Sequence, residues 1–371
     1  MRKFGHHYIP IVIIGCALIA ACTQQPGPLG PKFSGRLLLL AGDNASGVNL
    51  VEVNVGGDST YNRSVVASGV FEAAANPEQT QLLYTTKDGL LLRDLRNGSV
   101  KSLIKGENFC LSWSPDGNRF SYKQRTPAGG DGAIQAKLFV SDLEGKSKPI
   151  WQDTNLASDQ SSAAGTAAAA TGCVHWIASD RFIFDRFLGA ASNQKGKELL
   201  KPNTTTLAIV GESVKFIDLQ PKYSIEGICQ AGTLAILRPH DEDQPLLLAR
   251  SLDQMDKLNP SPAECSGCRF LGFAAKSCLP FFFQDATSTS TDLVSLNPTS
   301  WQRQRGAHIN RTFSLAARAL IKSSARLMIV GDIPSALLLI DTESGDITDL
   351  APNTAANGPL TSPVPIVWIE N

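Results

Sequence analysis

Leu111-Ser-Trp113-Ser-Pro-Asp-Gly117, with Arg119-Phe-Ser-Tyr122 directly after it, is the stretch from which the rest of the chain becomes readable. Pro115 presets φ and Gly117 accepts a positive φ, so residues 114–117 predict a tight turn between two short apolar strands. Ala136-Lys-Leu-Phe-Val-Ser-Asp142-Leu-Glu-Gly145 and Lys148-Pro-Ile-Trp151 follow. The Asp142 carboxylate is placed to accept backbone amides and Gly145 to close a second hairpin. Residues 109–152 therefore read as one antiparallel four-stranded sheet.

Outward from this unit the rhythm repeats in weaker form. Towards the N-terminus stand Phe71-Glu-Ala-Ala-Ala-Asn-Pro77, Gln81-Leu-Leu-Tyr84 and Leu90-Leu-Leu-Arg-Asp94-Leu-Arg-Asn-Gly98, and before them Arg36-Leu-Leu-Leu-Leu40 and Asn49-Leu-Val-Glu-Val-Asn-Val55. Towards the C-terminus stand Val174-His-Trp176, Leu246-Leu-Leu-Ala-Arg-Ser-Leu252, Asp292-Leu-Val-Ser-Leu-Asn297 and Leu337-Leu-Leu-Ile-Asp341-Thr-Glu-Ser-Gly345. With the third-strand turn as marker, the units are set by Asn54, Asp94, Asp142, Gly211, Asp253, Asn297 and Asp341. The spacings are 40, 48, 69, 42, 44 and 44. The long interval contains residues 157–172, rich in Ala, Ser and Gly, which read as a low-complexity loop between the third and fourth units. A period of this size is the mark of propellers and solenoids.

The Trp-Ser-Pro-Asp-Gly turn, apolar strand and Asp-x-x-x-Gly hairpin resemble the TolB-type, WD40-like β-propeller repeats. Trp113, Ser114, Pro115, Asp116 and Gly117 match that motif in full, Trp176 matches in part, and the rhythm covers nearly all of residues 34–371. The resemblance implies an all-β fold: a seven-bladed β-propeller of four-stranded antiparallel blades, with six or eight blades as the alternative counts. Val364-Pro-Ile-Val-Trp368-Ile-Glu reads as an inner strand without the rest of its blade, and the first unit has no such strand of its own. The C-terminal strand is therefore expected to complete the first blade and close the ring, which removes exposed sheet edges.

The N-terminal residues set the compartment. Met1, Arg2 and Lys3 precede an apolar run over residues 8–21, too short for a bilayer span of about 20 residues. It reads as the h-region of a signal peptide covering residues 1–21. The run ends in Ile19-Ala20-Ala21-Cys22, which resembles the lipobox of bacterial lipoproteins. That resemblance implies cleavage before Cys22 and lipid attached to its thiol. Thr23 rather than Asp after the cysteine implies sorting to the outer membrane, facing the periplasm. Pro26-Gly27-Pro28-Leu29-Gly30-Pro31, within residues 22–33, reads as an extended tether.

Beyond Cys22 the candidate export compartment gives Cys110, Cys173, Cys229, Cys265, Cys268 and Cys278 a first reading as disulfides. Cys110 and Cys173 each stand three residues before a tryptophan, Trp113 and Trp176, and are expected to bond across neighbouring blades. Cys265-Ser-Gly-Cys268 also has the spacing of a redox pair or metal knuckle. Pro260 and Pro262 before it and an apolar strand after it favour a structural bond.

The chemistry of catalysis is sparse. Lys+Arg and Asp+Glu stand at 34 each, without the basic excess that nucleic acid demands. No Gly-x-Ser-x-Gly elbow, Walker A loop or Gly-x-Gly-x-x-Gly occurs, so no catalytic residue, cofactor or metal is assigned and the chain is read as a non-enzyme. His175, His240 and His308 read as structural or surface histidines, and Arg238-Pro-His240-Asp-Glu-Asp243 as a solvated hairpin. Trp113, Trp176 and Trp368 are expected between blades, Trp151 and Trp301 on outer strands. The expectation is a scaffold for envelope proteins, anchored to the membrane by its N-terminal lipid. The alternative is a propeller that binds a ligand or glycan in its central channel, with a channel-site enzyme behind it.

Overall fold

Leu37-Leu-Leu-Leu40 carries apolar side chains on both faces of a strand, a pattern that demands cover on both sides. In the computed structural model Leu37 and Leu39 pack into one apolar cluster and Leu38 and Leu40 into another. The structure describes residues 34–42, 48–56, 61–127, 134–153, 168–189, 204–219, 223–229, 234–239, 245–250, 261–262, 265, 267–274, 277–304, 306–314, 317–321, 326–332, 336–350, 360 and 362–370. Among them every regular element is a β-strand and there is no helix.

The first sheet holds β1 (Gly35–Ala41), β2 (Val48–Val55), β3 (Tyr61–Ala75), β4 (Gln81–Thr86), β5 (Gly89–Asp94) and β6 (Val100–Lys105). Strand β3 pairs with β2 up to Val70 and with β4 from Val70 to Ala75, so one strand serves two units. Gly69, at φ +67°, sits at the changeover, in a region where a side chain would be strained.

A second sheet is β7 (Asn108–Trp113), β8 (Arg119–Pro127), β9 (Ile134–Asp142) and β10 (Ser147–Gln152). A third contains β11 (Ala168–Thr171), β12 (His175–Ala178), β13 (Arg181–Gly189), β14 (Thr204–Val210) and β15 (Val214–Leu219). The fourth is β16 (Tyr223–Ile228), β17 (Leu234–Pro239), β18 (Leu247–Arg250) and β19 (Ser261–Pro262). The fifth is β20 (Arg269–Phe273), β21 (Pro280–Asp285), β22 (Thr291–Leu296), β23 (Arg303–Gln304) and β24 (His308–Ile309). The sixth is β25 (Arg318–Ile321), β26 (Leu327–Asp332), β27 (Ala336–Asp341) and β28 (Ile347–Asp349). The last strand, β29 (Val364–Glu370), pairs antiparallel with β1 from Gly35↔Glu370 to Leu40↔Val364.

Apolar clusters join each unit to the next, because alternate side chains of one strand reach opposite neighbours. Leu83, Leu90 and Leu92 meet Trp113, Phe120 and Tyr122. Leu138, Val140 and Ile150 meet Trp176, Phe182 and Phe184. Further on, Met328 and Val330 face Phe281 and Phe283, whereas Ile329, Leu337 and Leu339 face Leu37, Leu39 and Trp368. The last sheet thus packs on the first.

The hairpin chemistry repeats as the sequence pattern anticipates. Asp94, Asp142, Asn297 and Asp341 each accept two backbone amides through Oδ1, at 2.7–3.2 Å. For Asp94 the amides of Arg96 and then Asn97 hold the carboxyl below its ordinary value. One feature differs from expectation. The stretch over residues 157–172 ends as strand β11, because the second half of β13 extends past β12 and offers it an open edge.

Candidate functional site

Strands β7, β16, β20 and β25 each pair on one side only, and the turn that follows such a strand fixes its end. Ser114 N–H donates to Arg119 O at 2.9 Å, Gly117 N–H to Ser114 O at 2.9 Å, and the Ser114 hydroxyl to Asp116 at 2.6 Å. Gly117 has φ +68°. The Trp113 indole N–H then donates to Ala74 O of the preceding first strand at 2.8 Å. Trp176 repeats the contact one unit later, with its N–H 3.2 Å from Ser112 O and 3.2 Å from Ser121 Oγ. The closing bonds Cys229 N–H to Leu234 O and Ala274 N–H to Leu279 O mark the same turn further on. There Ile228 and Phe273 stand in the tryptophan's place, so the indole tie ends after the fourth unit.

These first strands enclose a cavity of about 280 Å³. Ala74, Ser112, Trp113, His175, Trp176 and Ile228 are among its walls, and among the described residues no lining residue carries an Asp, Glu, Lys or Arg side chain. Burial holds the His175 imidazole below its ordinary pKa and so favours the neutral ring. Neither that ring nor the Ser112 hydroxyl has a polar side-chain contact among the described residues.

The six cysteines lie in three bonded pairs. Cys110 joins Cys173, Cys229 joins Cys278 and Cys265 joins Cys268, with Cα atoms 5.1, 5.4 and 5.5 Å apart. The first two pairs link neighbouring units. Cys110 sits in a bulge at φ +57°, and Glu72 of β3 holds that bulge by accepting the amides of Cys110 at 2.7 Å and Leu111 at 2.9 Å. Burial raises the Glu72 pKa against the opposing pull of those two amides.

A buried polar cluster beside this junction was not visible in the sequence. Lys123 Nζ lies 2.8 Å from Asp153 Oδ2 and donates to Thr171 O at 2.8 Å, and the Thr171 hydroxyl donates to Asp153 at 2.9 Å. All three residues are buried. The partners are 18 to 48 positions apart in the chain, so no spacing rule points to them. A Lys in the middle of β8, directly after Tyr122, was the one available signal.

The outer strands carry most of the large exposed apolar residues among the described ones. Val65 on the outer part of β3, Val100 on β6 and Phe216 and Ile217 on β15 are exposed, as is Phe71. Trp151 of β10 packs edge-on against Phe216 with ring centroids 5.4 Å apart. Trp301 lies in a turn rather than on a strand, at φ +62°, where Gly98, Gly145 and Gly345 stand in other units, with the Arg250 guanidinium over its ring. Trp113, Trp176 and Trp368 are buried between units. His308 is exposed and lies 2.7 Å from Asp292. Cys22, the tether over residues 22–33 and His240 lie outside the described residues. Among the described residues no three His, Cys, Asp or Glu side chains cluster as a metal site.

No family model and no curated protein matches the chain. Solved structures do. An acylaminoacyl peptidase of Pyrococcus horikoshii matches 86% of this chain with a TM-score of 0.53 at 11% identity, and this chain spans only 53% of that peptidase. The periplasmic gluconolactonase of Pseudomonas aeruginosa matches 90% of this chain and 99% of its own length, with a TM-score of 0.53 at 10% identity. The β-propeller domain of the Trilobed protease from Pyrococcus furiosus matches 87% of this chain and 95% of its own length, with a TM-score of 0.51 at 12% identity. At these identities the likeness is one of fold, and the fold is a β-propeller.

Proposed function

We propose that this chain is a lipoprotein of the bacterial envelope, anchored through Cys22, whose propeller serves as a scaffold for protein partners. The anchor reading rests on the charged start, short apolar run and Ile19-Ala20-Ala21-Cys22. By that resemblance the protein sits on the outer membrane facing the periplasm. The propeller itself is read as seven blades in a closed ring. Support comes from β3, which divides the first sheet into two units, from the pairing of β29 with β1, and from the packing of Ile329, Leu337 and Leu339 on Leu37, Leu39 and Trp368.

The observation that carries the scaffold reading is the placement of exposed apolar side chains. Val65, Val100, Phe216 and Ile217 lie on the outermost strands of three units, at 39–59% exposure. Of these, Phe216 and Ile217 are adjacent on β15 beside Trp151, the place where a contiguous apolar patch would mark a surface that a partner covers. The reading assigns no catalytic role to the chain.

The test is crosslinking in intact envelopes followed by capture of the lipidated protein. A reproducible protein partner is expected, with recovery reduced by Phe216→Asp and Ile217→Lys. Capture of no reproducible partner contradicts the scaffold. Cys22→Ser is expected to move the protein from the membrane fraction to the soluble fraction, and retention on the membrane contradicts the anchor.

A further inference from the structure

The cavity between the first strands is a feature that the outer-strand scaffold does not use. It is bounded by residues of β3, β7, β12 and β16, and its volume of about 280 Å³ is near the lower end of small-ligand pockets, roughly 300–1,000 Å³. We propose that it binds a small, uncharged, hydroxyl-bearing ligand, the chemical class of mono- and disaccharides, through His175 and Ser112.

The lining selects for the absence of charge. With no Asp, Glu, Lys or Arg among the described residues of the wall, an ionised ligand would lose its hydration without an opposite charge to replace it. His175 brings no compensating charge either, because burial favours its neutral form. The lining also selects for hydroxyls. A neutral imidazole offers one donor and one acceptor, and the Ser112 hydroxyl offers both. Neither group has a polar side-chain partner among the described residues, and both line the cavity. A hydroxyl donates and accepts at once, so it suits both groups.

Other candidates in the wall are already committed. The Trp113 and Trp176 N–H groups donate to Ala74 O and to Ser112 O and Ser121 Oγ, which leaves the indoles as apolar surface. Cys229 is bonded to Cys278. Trp113 and Trp176, packed between units, contribute only their edges to the wall.

The test is a titration of the full chain with glucose, N-acetylglucosamine and maltose, with glucuronate as the charged control, followed by ligand-observed NMR and calorimetry. At least one neutral sugar is expected to bind saturably below about 10 mM. Glucuronate is expected to bind about tenfold more weakly than glucose, as for one ion left uncompensated. His175→Ala and Ser112→Ala are each expected to weaken binding about tenfold, the loss of one hydrogen bond. Ser112→Ala is the milder change and carries the test if His175→Ala fails to fold. Absence of saturable binding by all three sugars overturns the proposal, as does binding that both variants leave unchanged or glucuronate binding equal to that of glucose. The scaffold is tested by protein capture, so either reading can fail without the other.

Discussion

The junction between the third and fourth units and the seam where β29 meets β1 hold neighbouring sheets together by different means. The first uses polar and covalent devices: the Cys110–Cys173 pair, the Trp176 indole on Ser112 O, and the buried Lys123–Asp153–Thr171 cluster. The seam has a backbone ladder and an apolar cluster instead. Its register runs from Gly35 to Leu40, and Trp368 lies so close to Gly35 that a Cβ there would sit 2.4 Å from the ring. Units adjacent in sequence close smaller loops than the seam does, at lower entropic cost, and extra devices there add specificity. The seam joins chain ends more than 300 residues apart, and its strength has to come from extended pairing and burial.

The comparison can be broken most severely at the seam. Deletion of residues 364–371 removes the ladder to β1 together with buried Val367 and Trp368. The expected loss is about 5 kcal/mol or more, since burial of a tryptophan alone accounts for roughly 3–5 kcal/mol. Urea unfolding checks it, and a midpoint unchanged by the deletion would show that β29 contributes nothing to the seam.

At the other junction, Lys123→Met leaves the Asp153 carboxylate buried without its cation. The expected cost is about 3–5 kcal/mol. A Lys123→Met, Asp153→Leu double variant recovers most of it, because an apolar pair replaces both charges. Equal destabilisation of single and double variants would assign the effect to packing rather than charge.

Cys110→Ser opens a link between positions 63 residues apart and is expected to cost about 2–4 kcal/mol. Cys265→Ser opens a link across a separation of only 3, where chain entropy assigns less, on the order of 2 kcal/mol. The ranking of the two in non-reducing urea melts is the observable.

The smallest effect is in pH. Burial lowers the folded pKa of His175 below its ordinary 6.5, so the folded state binds fewer protons than the unfolded state. Its contribution to stability is present above pH 6.5 and is lost as pH falls through the folded value. Replacement by Gln is expected to flatten that part of the stability curve. A curve of unchanged slope would show that His175 titrates normally.

What was legible in the sequence was the part written in local chemistry. Asp94, Asp142, Asn297 and Asp341 could be read because an Asx turn needs only its own next few amides. The equal offsets of Cys110 and Cys173 from their tryptophans could be read because repeats place equivalent residues side by side. The Lys123 cluster was hidden, since its partners come from different units. Strand β3 was hidden for another reason: its two halves belong to different units, and Gly69 inside it looks like a break rather than a changeover. Strand β11 was masked by composition, because small residues carry no period of their own, and its pairing is set by the open edge of β13. The cavity could not be read at all, as its walls come from four units.

Hydrogen exchange of the backbone amides in residues 364–370 tests the closed ring most directly. If the last strand completes the first unit, these amides exchange as slowly as those of β1 and open only with global unfolding. Exchange at the rate of an unpaired chain end, while β1 stays protected, would contradict closure.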